Sequence, residues 1–214
     1  MTASRLHIGL LGDSIFDNDA YTGEKPDVIT HLRSLLSERE EATLCAVDGA
    51  MTTDVPAQLT RLPKEATHLV VSMGGNDALA NSDLLDTPVR STAEALRLFG
   101  VRSERFEKSY RMALDAVLRV RRPTTVCTIY NGNLPAAQAG VARVGLTVFN
   151  DVILRVAFER GLPVIDLRLV CSAPSDYANS IEPSGAGGAK IARAIMQTVK
   201  GTGGARPVAR VSWL

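Results

Sequence analysis

Five largely apolar segments along the chain each run into, or start from, a polar, turn-forming cluster. Leu6 to Leu11 stops at Gly12-Asp13-Ser14, ahead of the polar stretch Asp17-Asn18-Asp19. Leu44-Cys45-Ala46-Val47 runs into Asp48-Gly49-Ala50, and Leu69-Val70-Val71-Ser72-Met73 runs into Gly74-Gly75-Asn76-Asp77. Thr124 to Tyr130, apolar and β-branched, ends at Asn131-Gly132-Asn133, and the shorter run Leu162 to Asp166 follows Gly161. Short apolar runs bounded this way predict buried strands. Between them, apolar residues recur at helical spacing. Val28, Ile29, Leu32, Leu35 and Leu36 predict a helix that carries His31. Thr92 to Leu98 and Phe106 to Val120 predict two more before Pro123, and Val144 to Phe158 another. Ala186 to Val199 predicts the last, capped by Ser184. Strands alternating with helices imply a five-stranded parallel sheet covered on both faces, a three-layer α/β/α sandwich. Residues 1–200 read as one domain and residues 201–214 as a C-terminal tail.

In a parallel sheet the carboxyl ends of the strands share one edge, where α/β folds hold their ligands. The first three strands deliver Ser14, Gly49 and Asn76 to that edge. A serine attacking an acyl carbon creates an oxyanion, which needs hydrogen-bond donors fixed where the charge develops. The backbone N–H groups of Ser14 and Gly49 and the side-chain amide of Asn76 are suitable donors. Taken singly, Ser14 reads equally well as a turn cap and Asp48-Gly49 as an ordinary turn. Their order along the chain makes them a set.

These blocks resemble the SGNH or GDSL hydrolase superfamily, whose first block reads Gly-Asp-Ser, whose second supplies a glycine and whose third is Gly-x-Asn-Asp. The matching residues are Gly12-Asp13-Ser14-Ile15-Phe16-Asp17-Asn18, Gly49, and Gly74-Gly75-Asn76-Asp77. The first stretch does not fit the Gly-x-Ser-x-Gly elbow of α/β-hydrolases. The resemblance implies a flavodoxin-like fold, hydrolysis of small carboxylic esters, aryl esters among them, by a Ser14 nucleophile, Gly49 and Asn76 as the oxyanion hole, and no cofactor.

The fourth block departs from the pattern. The family places Asp-x-x-His and then Pro ahead of the last helix, supplying the base and its orienting carboxylate. Here the stretch reads Asn179-Ser180-Ile181-Glu182-Pro183-Ser184, with Asn179 at the aspartate position and Glu182 at the histidine position. Glu182 has three readings: a general base for Ser14, with Asn179 orienting it; an acceptor for backbone N–H groups at the entrance of the final helix; or a ligand for a divalent cation together with Asp13, Asp17 or Asp77. Those three aspartates are otherwise supporting residues. As a base, Glu182 is poorly matched, because an ordinary Glu pKa of about 4.3 lies well below that of His, near 6.5. Burial would raise it, and a place at a helix start would lower it. A binding module that has lost turnover and a metal-dependent esterase or phosphoesterase remain the alternative functions.

Composition narrows the field further. The chain of 214 residues is 45% apolar, enough for one core, and has no apolar run long enough to span a membrane. The first strand begins within about five residues of Met1, which leaves no space for a cleavable signal sequence and predicts a cytoplasmic product. Charges balance at 24 basic and 23 acidic residues, so no field for nucleic acid or anionic lipid is expected. A small-molecule ester is the expected partner, and the oligomeric state stays open. Arg119, Arg121 and Arg122 cluster as a solvated helix end. Cys45, Cys127 and Cys171 read as reduced structural thiols, without metal-ligand spacing. His7, His31 and His68 are the only histidines, none placed to replace the base. Gly185-Ala186-Gly187-Gly188-Ala189-Lys190 lacks phosphate-loop spacing and predicts close helix packing instead.

Overall fold

The apolar runs form strands His7–Gly12 (β1), Glu41–Leu44 (β2), His68–Ser72 (β3), Thr124–Cys127 (β4) and Val164–Ile165 (β5), in a computed structural model that describes residues 5–201. All neighbours pair in parallel, in the order β2-β1-β3-β4-β5. This is the flavodoxin-like order, in which the chain leaves the sheet in opposite directions on either side of β1 and opens a crevice at the carboxyl edge. Every residue of β1 is buried, as expected for a central strand with helices on both faces.

The helices are Asp19–Thr22 (α1), Val28–Ser34 (α2), Val55–Gln58 (α3), Gly75–Leu79 (α4), Thr92–Leu118 (α5), Ala136–Glu159 (α6), Leu167–Val170 (α7) and Gly185–Lys200 (α8). One core unites α2 and α8 with one face of the sheet, through Val28, Leu32, Ile191 and Ile195 against Ile8 and Leu10. The other unites α5 and α6 with the opposite face, through Tyr110, Leu114, Ile153 and Val156 against Leu69 and Val71. The final helix starts where its cap predicts, with Ser184 Oγ accepting from Gly187 N at 3.2 Å. Its glycines are there for packing: a Cβ on Gly187 would sit 2.1 Å from the Asp176 carbonyl oxygen, and one on Gly185 would sit 2.7 Å from Lys25 Cβ.

The boundaries differ from the sequence pattern in instructive ways. The two helices expected at Thr92–Leu98 and Phe106–Val120 are one, α5, of 27 residues, and α6 begins at Ala136 rather than at Val144. In both, the core-facing residues that create the apolar pattern lie in the carboxyl-terminal half, from Phe106 in α5 and from Phe149 in α6. A 27-residue helix is about 40 Å long, about twice the length of β1. Because each helix runs back antiparallel to the strand before it, the amino-terminal halves overhang the carboxyl edge, where the sheet imposes no core periodicity. The second strand is Glu41–Leu44 rather than Leu44–Val47, because the N–H groups of Cys45 and Ala46 both point at Leu10 O and end the regular ladder. The fifth is only Val164–Ile165. The tail from residue 202 onward lies outside the described residues, and Gly201 caps α8.

Candidate active site

Ser14 is presented by a strand end that only glycine can form. Gly12 ends β1 with φ of 127°, and a Cβ there would lie 1.6 Å from Ser72 O. Gln58 on α3 clamps the same glycine through both of its peptide groups: its Oε1 accepts from Gly12 N at 2.8 Å and its Nε2 donates to Gly12 O at 2.7 Å. Asp13 N donates to Ser72 O, and the N–H groups of Phe16 and Asp17 turn back onto Asp13 O. Ser14 is thereby held at the crevice, where its Oγ donates to Glu182 Oε1 at 3.2 Å.

Glu182 reaches that position from the loop before α8. Asn179 Oδ1 accepts from both Ile181 N and Glu182 N at 2.9 Å, and Ala178 N donates to Glu182 O. Asn179 is exposed and grips the backbone of Glu182, not its carboxylate. Asn18, fully buried, ties this loop to the serine loop: its amide donates to Pro183 O at 3.0 Å while its Oδ1 accepts from Val28 N.

The carboxylates here hold protons more tightly than usual. Burial raises the pKa of Glu182, the hydrogen bond from Ser14 opposes that rise, and the charge of Asp48 adds to it. The lowering expected from a helix start does not prevail, because Glu182 lies ahead of the Ser184 cap and desolvation dominates. Its Oε2 is buried without a hydrogen-bond partner among the described residues. Asp13 is pushed up to about 7, first by burial and then, against the Ile15 N–H bond, by the charges of Glu182 and Asp77. Stability from this proton is fully present below about pH 4 and lost as the pH rises through about 7. Asp13→Asn should therefore flatten the pH dependence of the thermal midpoint across that window. An unchanged slope in calorimetry would contradict it.

Gly49 and Asn76 follow the two neighbouring strands, β2 and β3. Gly49 sits with φ of 75° in a turn closed by Ala50 N onto Val47 O. Asn76, in the first turn of α4, donates from Nδ2 to Ala50 O at 3.0 Å, which binds the third block to the second and leaves its other amide N–H free of that bond. The N–H groups of Ser14 and Gly49 have no acceptor among the described residues. Asn76 lines the same cleft as Ser14 and Glu182.

Asp17 and Asp77 serve the scaffold. Asp17 Oδ2 accepts from Asp48 N at 2.9 Å, and Asp77 accepts from Thr52 N and Thr52 Oγ1 at 3.0 and 2.7 Å, so both secure the loops that carry the donors. Among the described residues no three His, Cys, Asp or Glu side chains gather in a way that could hold a metal ion. His7 and His68 lie at the amino ends of β1 and β3, and His31 lies on α2. The three cysteines are free and buried.

Sequence reasoning missed Gln58, Asp48 and the bridging role of Asn18. Asn18 belongs to the first block, so its position was visible. Gln58 sits in a four-residue helix with no periodic signal. Asp48 acts at a distance, and its carboxylate is held by the Tyr21 hydroxyl at 2.7 Å.

From Ser14 a cleft of about 150 Å³ extends over the carboxyl edge. Beyond Ser14, Asn76 and Glu182 its walls are mostly apolar, with Met73, Leu79, Ile129, Leu146 and Phe149 prominent. No helix among the described residues is long and apolar enough to cross a membrane.

A buried serine–carboxylate pair that shares its cleft with the Asn76 side chain is an arrangement suited to acyl transfer, and the sequence carries the corresponding family pattern. The family model described as GDSL-like lipase/acylhydrolase matches residues 10–190, and the chain belongs to that family. Solved structures agree on the fold. An extracellular lipase from Streptomyces rimosus superposes with a TM-score of 0.67 at 17% identity, covering 90% of this chain and 99% of the other. A phospholipase A1 from Streptomyces albidoflavus gives 0.67 at 18% identity, with 91% and 99% covered. Axe2, an acetylxylan esterase from Geobacillus stearothermophilus, gives 0.67 at 17% identity, with 92% and 95% covered. A search of curated proteins found no match.

Proposed function

We propose that the protein hydrolyses carboxylic esters, with Ser14 as nucleophile and Glu182 as its general base. The observation that carries this reading is the hydrogen bond from Ser14 Oγ to Glu182 Oε1 inside a buried, apolar cleft. Family membership and the lipase and esterase neighbours support the reaction class.

Ionised Glu182 takes the Ser14 proton as Oγ adds to the ester carbonyl carbon. The carbonyl oxygen becomes an oxyanion received by the N–H groups of Ser14 and Gly49 and by the Asn76 amide. Collapse of the adduct breaks the bond to the alcohol oxygen, and protonated Glu182 returns the proton to it. Water then repeats the sequence on the acyl-serine. Desolvation assists, since a carboxylate with a raised pKa is a stronger base than an exposed one. A carboxylate still remains a weaker base than an imidazole, and Asn179 supports it only through the backbone. Activity should therefore favour esters with good leaving groups.

The direct test is hydrolysis of aryl esters by the purified chain, with Asn76→Ala as the internal comparison. Loss of one oxyanion donor should lower kcat about 10²-fold. Wild-type kcat in Asn76→Ala would remove Asn76 from the oxyanion hole, and absence of any hydrolysis by the wild type would defeat the esterase reading.

A further inference from the structure

The cleft also indicates which esters fit. Glu182 approaches Ser14 from the α8 side of the sheet, while Phe99, Leu146 and Phe149 belong to α5 and α6 on the opposite side. In acyl transfer the leaving oxygen must face the base that returns its proton, and the carbonyl oxygen must face the donors. The acyl chain is left with the direction away from Glu182, along the α6 wall past Phe149 and Leu146 towards Phe99 and Leu85.

Resting on the esterase reading, we propose that this channel selects medium-chain acyl groups of about six carbons and that Gly145 on α6 sets the length. An enclosed apolar cavity of about 150 Å³ accepts a benzene-sized, six-carbon ligand, and the whole cleft, with the space over Ser14 and Glu182 included, measures about 150 Å³, so about six carbons is the upper end of what it can take. Gly145 lies on its wall opposite Phe99 and Leu85. A Cβ there would stand 3.6 Å from Phe99 Cε1 and 3.9 Å from Leu85 Cδ2, in ordinary van der Waals contact. The fold therefore tolerates a side chain at this point, unlike at Gly187. Glycine is disfavoured in a helix interior, and its effect at 145 is to leave this part of the cleft wall, beside Phe99 and Leu85, without a side chain. A longer side chain would extend past those contacts into the cleft and occupy the space for the distal carbons.

The test is the chain-length profile of p-nitrophenyl esters from acetate to dodecanoate, in the wild type and in Gly145→Leu, with thermal denaturation to establish that the variant folds. In the wild type kcat/KM should rise up to about fourfold per methylene until about six carbons and then fall. In Gly145→Leu the ratio of hexanoate to acetate kcat/KM should drop at least tenfold. A flat wild-type profile, or an equal loss on both esters in the variant, overturns the proposal. Binding separates this failure from that of the esterase reading. By calorimetry hexanamide should bind the wild type at least tenfold tighter than acetamide, and Gly145→Leu should abolish the difference, whether or not any ester is turned over. Equal binding of the two amides by the wild type also overturns it.

Discussion

Ester hydrolysis by Ser14→Ala should fall to the uncatalysed background, a loss on the order of 10⁴-fold or more. The hydroxyl lies within hydrogen-bond reach of the buried Glu182 carboxylate, and both groups line the cleft. Removing it deletes the attacking atom and also the one hydrogen bond that the Glu182 carboxylate receives. The pKa of Glu182 should then rise further, because that bond is what opposes desolvation. A water activated by Glu182 is consequently a poor substitute, and residual turnover should be small. The fold should persist, since Gly12, Gln58 and Asp13 hold this strand end without the Ser14 side chain. Steady-state assays on p-nitrophenyl esters check the outcome, and wild-type rates in Ser14→Ala would refute the serine mechanism.

Glu182→Gln should lower kcat by about 10³-fold. The amide matches the carboxylate in size and can still accept the Ser14 hydrogen bond, but it cannot take the proton. The pH profile supplies the second half of this prediction. Wild-type kcat/KM should climb with pH as Glu182 ionises, with a midpoint above the ordinary carboxylate value of 4.5, because burial raises the folded-state pKa. That limb should disappear in Glu182→Gln. An unchanged rate in the variant would leave Glu182 as a purely structural acceptor beside Ser14.

The central strands β1, β3 and β4 were legible because they are buried on both faces and, in β1 and β3, run into glycines and acids, as at Leu11-Gly12-Asp13 and Met73-Gly74. The full length of α5 and α6 was not: the link from Phe99 to Arg105 and the turns from Ala136 to Arg143 carry no core-facing repeat, since no residue of either stretch is buried. That overhang supplies Phe99, Ala142, Gly145 and Leu146 to the cleft wall, and this part of the cleft was invisible in the pattern. At the site, Ser14, Asn76 and Glu182 could be picked out by block order and by Pro183. The state of Glu182 could not, since its proximity to a helix suggested a lowered pKa and only the packed structure reveals the desolvation that raises it. Asn179 illustrates a related limit. Its position in the block suggested a partner for the Glu182 carboxylate, whereas its Oδ1 folds onto the backbone N–H groups of Ile181 and Glu182.

A nucleophilic Ser14 driven by Glu182 should be open to covalent capture. Diethyl p-nitrophenyl phosphate phosphorylates activated serines and releases a chromophore, so intact mass and peptide mapping can report both site and rate of attack. A single diethylphosphoryl adduct is expected on Ser14, formed faster as the pH rises through the Glu182 titration and slowed about 10³-fold in Glu182→Gln. No adduct on Ser14, or labelling at the same rate in Glu182→Gln, would contradict it.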